Sequence, residues 1–149
     1  MDTDEARGED REGFSEQERA AVRERAAELR TQTGRGRKAA ADEADVLEKI
    51  EAMAEPDRTI AGRIHAIVTG NAPDLAPKLW YGQPAYARKG KVVCFFRSGH
   101  DDKERYSTFG FTPEATLDDS GGLWPTSYAV TEVSDATEKA IADLVGRAA

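Results

Sequence analysis

Hydrophobic positions recur first at helical spacing and then at strand spacing along the chain. Val22, Ala26 and Leu29 form a thin apolar stripe among arginines and glutamates, which predicts a helix over about 14–33. Ser15 with Glu18 three residues on is a capping-box pattern, and Phe14 takes the staple position before it. Thr33-Gly34-Arg35-Gly36-Arg37-Lys38 breaks the pattern and predicts a flexible basic loop. Val46, Leu47, Ile50 and Met53 predict a second helix from about Ala41 to Ala54, ended by Pro56. Asp57 is placed to cap a third helix carrying Ile60, Ile64, Ile67 and Val68, the strongest helical periodicity in the chain. His65 lies beside that apolar face, and Gly70-Asn71 ends the helix. Pro73 reads as the start of a short helix through Leu79-Trp80.

From Tyr81 the period becomes two. Ala85–Arg88 and Lys91–Arg97 predict a hairpin turning at Lys89-Gly90. The second of these strands is apolar on both faces, so it belongs in the middle of a sheet. A polar loop follows over Ser98–Glu104, then a strand over Arg105–Phe111 and a short helical turn at Thr112-Pro113-Glu114. A last strand is expected over Trp124–Val133, and Ser134 caps a final helix with Ala140, Ile141, Leu144 and Val145 on its apolar side. Helices first, then strands joined by short links, then one helix is an α+β order. It predicts an antiparallel sheet of about four or five strands with helices mainly on one face, plus an N-terminal helical extension. The chain divides into a charged tail at 1–13, read as disordered, a helical extension with its basic loop at 14–40, and an α+β domain at 41–149.

Composition narrows the function classes. A formal net charge of -7 opposes binding to nucleic acid or anionic membrane and suits a cation or a basic partner. No apolar run reaches the length of a membrane span, and the charged N-terminus has no secretory pattern. The one cysteine, Cys94, cannot form an internal disulfide and sits in an apolar strand as a small buried hydrophobe. A cytoplasmic domain is the expectation.

The run Ala72-Pro73-Asp74, then Trp80-Tyr81-Gly82-Gln83-Pro84-Ala85-Tyr86, then Gly90-Lys91 and a Phe-rich strand resembles the YdhG-like family of bacterial domains. That family usually shows an aromatic, Gly, Met, Pro, Ala, Phe; here Gln83 stands for Met and Tyr86 for Phe. Phe109-Gly110-Phe111 and the strand leading into the last helix are similar to the family's second half, so the resemblance spans roughly residues 45–147. The family is a domain of unknown function with some members described as frataxin-like iron chaperones. The resemblance thus implies an α+β fold and a non-enzymatic role in binding iron(II) and passing it to an iron-accepting protein.

Iron(II) favours carboxylate and imidazole ligands. His100, Asp101, Asp102 and Glu104 offer them on one loop, and Asp118 and Asp119 on another; the same loops also read as ordinary solvated turns. No nucleophile elbow, phosphate loop or dinucleotide fingerprint occurs, so no catalytic residue is assigned and an enzyme is not expected. Aromatic residues supply the alternative. Trp80, Tyr81, Gln83 and Tyr86, around the Gly82 turn, form a candidate ligand site on a sheet surface that would grip a protein or small ligand without metal.

Overall fold

The computed structural model describes residues 16–31 and 36–149. The charged tail, the Phe14–Ser15 cap and residues 32–35 of the basic loop lie outside the described residues, as does the side chain of Leu29. Among the described residues the order is α1 (Glu16–Thr31), α2 (Arg37–Ala52), α3 (Asp57–Asn71), β1 (Ala76–Trp80), β2 (Gln83–Arg88), β3 (Lys91–Arg97), α4 (Gly99–Asp102), β4 (Ser107–Phe111), β5 (Ser127–Val130) and α5 (Asp135–Ala148).

The strands form one antiparallel sheet in the order β1-β2-β3-β4-β5, with the doubly apolar β3 at its centre as its composition predicts. Two tight hairpins begin it. Tyr81 and Gly82 (φ 53° and 76°) join β1 to β2, and Lys89 and Gly90 (φ 52° and 83°) join β2 to β3. Positive φ at both turn positions gives the twist that antiparallel strands need, and it is why glycine occupies the second position.

The structure corrects several boundaries. The expected helix from Pro73 to Trp80 is a strand from Ala76, because Pro77 would break a helix but is tolerated in an edge strand. α2 starts at Arg37, inside the expected loop. Its first turns are rich in alanine, Ala40 is buried, and Lys38 pairs with Asp42 at 3.2 Å. The Ser98–Glu104 loop contains the single-turn α4, capped by Ser98 Oγ accepting from the Asp101 amide at 3.0 Å. Thr112–Glu114 is a turn without a helix, and β5 is shorter than expected, starting only after Pro125.

Strand register sorts the side chains onto two faces. Tyr86, Cys94 and Phe111 stand in one cross-strand row, with Phe96, Phe109 and Tyr128 in the next. These rows meet Val46 and Ile50 of α2, Ile60, Ile64 and Val68 of α3, and Ile141 and Val145 of α5 in the main core. A bulge at Tyr86/Ala87 breaks the alternation, which lets Val93 join that core beside Cys94. α1 lies outside this core. It packs Val22 and Ala26 against Ala40, Ala44 and Leu47 of α2, and Arg23 pairs with Glu51 at 2.7 Å. No helix among the described residues is long and apolar enough to cross a membrane.

Candidate functional site

Among the described residues no helix packs on the second sheet face. Ala85, Ala87 and Val92 form its floor, and Trp80 and Phe95 pack over them in a cluster that contains no helix residue. Register explains the floor: Lys78, Ala85, Phe95, Gly110 and Ser127 lie in one row across all five strands. Phe95 therefore has alanine on one side and glycine on the other. Its ring lies directly over Gly110, where a Cβ would stand 2.5 Å from Cζ of the ring, so any larger residue there would lift Phe95 off the sheet. Trp80 packs against Phe95 with ring centroids 5.3 Å apart, and Tyr81 meets Trp80 edge-on at 4.9 Å.

Tyr81 stands out on this face. It is 89% exposed and sits at positive φ, a conformation that is cheap for glycine or asparagine and costly for a bulky side chain. Gln83 lies opposite Trp80, and its Oε1 accepts the Ser98 amide at 3.4 Å. Three of the four aromatic-site candidates, Trp80, Tyr81 and Gln83, thus gather at one end of the open face. Tyr86 does not join them: it is wholly buried on the opposite face. The expectation that Tyr86 shares a ligand site with Trp80 is corrected by strand parity, since the two side chains stand on opposite sides of the sheet. Phe95, not singled out in the sequence, takes the place expected of Tyr86.

Tyr86 instead ends a buried polar chain. His65 Nδ1 lies 2.9 Å from the Tyr86 hydroxyl, and His65 Nε2 lies 3.4 Å from Glu43 Oε2. With Nε2–H directed at Glu43, Nδ1 accepts the tyrosine proton, and both ring nitrogens are occupied. The hydrogen bond from His65 holds the Glu43 carboxyl below its usual value; burial opposes this, and the charges of His65 and Arg25 add to it. Burial pushes the Tyr86 hydroxyl well above its ordinary range and the neighbouring Cys94 thiol up to about 12. This chain borders a cleft of about 560 Å³ between α1, α2, α3 and the segment leading to β1. With both nitrogens engaged, His65 serves the fold, giving a core hydroxyl its partner.

The carboxylates of the first expected loop are held by cations. Asp101 pairs with Lys49 at 3.1 Å, and Arg97 takes Asp102 at 2.9 Å and Glu104 at 3.3 Å. His100 is exposed on α4, and its backbone amide, not its ring, is bonded, to Asp57 at 3.1 Å. Asp118 and Asp119 follow β4, which carries the chain to the opposite end of the sheet from His100. Among the described residues no three His, Cys, Asp or Glu side chains come together in a way that could hold a metal ion.

One buried cluster was not legible in the sequence. Asp57, only 4% exposed, does not cap α3; Pro56 holds that position. Its carboxylate accepts from Ser98 Oγ at 2.5 Å, Ser107 Oγ at 2.7 Å and the His100 amide at 3.1 Å. Each serine hydroxyl also accepts a backbone N–H, Ser107 from Gly99 and Ser98 from Asp101. The network ties the start of α3 to both ends of the β3–β4 connection, and the Ser98 amide carries it on to Gln83. Compared with known protein families, curated proteins and solved structures, the chain matches none.

Proposed function

We propose that this chain is a non-enzymatic interaction domain that holds a protein partner on the open face of its sheet, without a metal. The observation that carries this reading is the Trp80–Phe95–Tyr81 surface, which lies on a floor of small residues on a face that no helix covers among the described residues. Protein interfaces concentrate their binding energy in tryptophan and tyrosine. Tyr81 supports the reading further, because an exposed aromatic at positive φ is a local cost that its edge contact with Trp80 offsets only in part. Iron(II) delivery, which the family resemblance suggests, draws no comparable support: the acidic side chains proposed for it are ion-paired or lie at opposite ends of the sheet.

Quantitative affinity capture from the native host tests the proposal. The tagged wild type should enrich a discrete partner equally with and without a chelator, and the Trp80→Ala and Phe95→Ala variants, shown to be folded by circular dichroism, should lose it. Retention by both variants, or loss on adding the chelator, would contradict it.

A further inference from the structure

The segment that joins β4 to β5 folds a small pocket against the end of the sheet, with a volume of about 280 Å³. Phe111 and Trp124 give it aromatic walls, and Pro113, Ala115 and Leu117 give it aliphatic ones. These walls are held by the fold itself. The Thr112 amide donates to Val93 O and the Ala115 amide to Thr112 O, both at 3.0 Å, and Thr116 Oγ1 donates to Arg147 O at 3.0 Å, which ties the segment to the end of α5. Phe111, Ala115 and Leu117 belong to the main core, and Trp124 packs on it. A pocket already ordered by core contacts has little conformational freedom to lose on binding.

Asp118 is the one charged side chain in the lining. Its backbone is held on both sides, by buried Leu117 before it and by a turn after it in which the Gly122 amide donates to Asp119 O at 2.9 Å. Asp118 makes no ion pair among the described residues, whereas Asp101, Asp102 and Glu104 each take a cation. A metal ion needs several such ligands, and among the described residues no others gather around Asp118. A single carboxylate beside aromatic and aliphatic walls suits an organic cation instead. The carboxylate accepts its N–H donors, an aromatic wall attracts positive charge, and the apolar walls cover hydrocarbon.

We propose that this pocket binds a primary alkylammonium group, with Asp118 accepting from the ammonium and Trp124 and Phe111 lying against the alkyl chain. The volume falls just below the range of about 300–1,000 Å³ for drug-sized ligands, so it suits a chain of a few carbons. A free amine and a lysine side chain both carry this chemistry. The inference is independent of the open face, because Phe111 and Trp124 belong to the core side of the sheet.

The probe is n-butylammonium chloride, titrated into the full chain at constant ionic strength and followed by the NMR shift of the Trp124 indole N–H, assigned with a Trp80→Phe variant. Butan-1-ol supplies the chain without the charge, and ammonium chloride the charge without the chain. Butylammonium should bind about tenfold tighter or more than either. Asp118→Asn, at an exposed site, should cut its affinity about tenfold, while Asp119→Asn removes the same charge one residue outside the lining and should leave it within about twofold. A capped Gly-Lys-Gly peptide that binds more tightly than butylammonium assigns the site to a lysine side chain, and weaker binding assigns it to a free amine. Three results overturn the inference: no saturable shift with butylammonium, butan-1-ol or ammonium binding equally well, or equal losses from Asp118→Asn and Asp119→Asn, which would show only the diffuse attraction of an acidic surface.

Discussion

Replacing Asp57 by alanine removes the acceptor for three donors at once, the hydroxyls of Ser98 and Ser107 and the amide of His100. A hydrogen bond to a charged group contributes about 1.5–3 kcal/mol, and a buried donor left unpaired costs about 1–3 kcal/mol. The three are not additive, because a cleft of about 200 Å³ lined by Pro56, His100 and Ser107 lies beside them, and water entering it would partly replace the carboxylate. The expected loss is about 3–5 kcal/mol, within the range for breaking a buried charged network. For a chain of this size that is a large part of a total stability of about 5–15 kcal/mol, and it lowers the melting temperature by roughly 10–15 °C. Asp57→Asn keeps one acceptor oxygen but sets an amide against a hydroxyl already accepting from backbone, so about 1–2 kcal/mol is expected. Urea unfolding followed by tryptophan fluorescence measures both, with an unchanged m-value confirming that only stability moved. An alanine variant losing less than about 1 kcal/mol would refute the view that this carboxylate joins α3 to the β3–β4 connection.

Further outcomes follow from the same contacts. Tyr81→Asn should raise stability by roughly 0.5 kcal/mol, because relief at positive φ exceeds the edge contact of a ring that is 89% exposed, while weakening partner capture; a loss above about 1 kcal/mol in thermal melts would show that Tyr81 serves the fold. The folded-state pKa of Glu43 is depressed, so its stabilising contribution is complete above the ordinary carboxylate value of 4.5 and fades as pH falls below it; Glu43→Gln should flatten that part of the stability–pH profile, and an unaltered profile would contradict the His65 pairing. Cys94 has the opposite sign. Its thiol keeps its proton in the folded chain to about 12 but releases it near 9.0 when unfolded, so stability should fall as pH rises past 9 by about 1.4 kcal/mol per pH unit, and Cys94→Ala should remove that share of the slope. Tyr86→Phe strands His65 Nδ1 in the core and should cost roughly 1–2 kcal/mol in chemical denaturation, whereas a neutral result would indicate that the imidazole finds another partner.

Periodicity carried most of the fold. Ile60, Ile64, Ile67 and Val68 are all buried on α3, the run through Val93 and Phe96 is the central strand, Lys89-Gly90 turns the hairpin and Ser134 caps α5, its Oγ accepting the Thr137 amide at 3.2 Å. These are local signals, and local chemistry decides them. β1 reads as a helix in the sequence because Pro73 at a first-turn position outweighs Pro77, which an edge strand accommodates. The site was legible only in part. Trp80, Tyr81 and Gln83 cluster around a turn that the glycine marked, but the face taken by Tyr86 depends on a pairing register that no single strand encodes. Asp57 and its serines lie 41 and 50 residues apart in sequence, and Glu43, His65 and Tyr86 come from α2, α3 and β2, so neither group leaves a spacing to detect. Adjacent acidic residues suggested a metal site because their counter-ions, Lys49 and Arg97, become their neighbours only in the fold.

The most direct test of the open-face account is site-specific photo-cross-linking in the native host, with the photoreactive residue at Tyr81 on the open face or at Asp143 on exposed α5. The account predicts one discrete adduct from position 81, lost when Trp80→Ala is added and unaffected by a chelator, with no matching adduct from position 143. Equal adducts from both positions, or none from position 81 in cells where the chain is abundant, would contradict it.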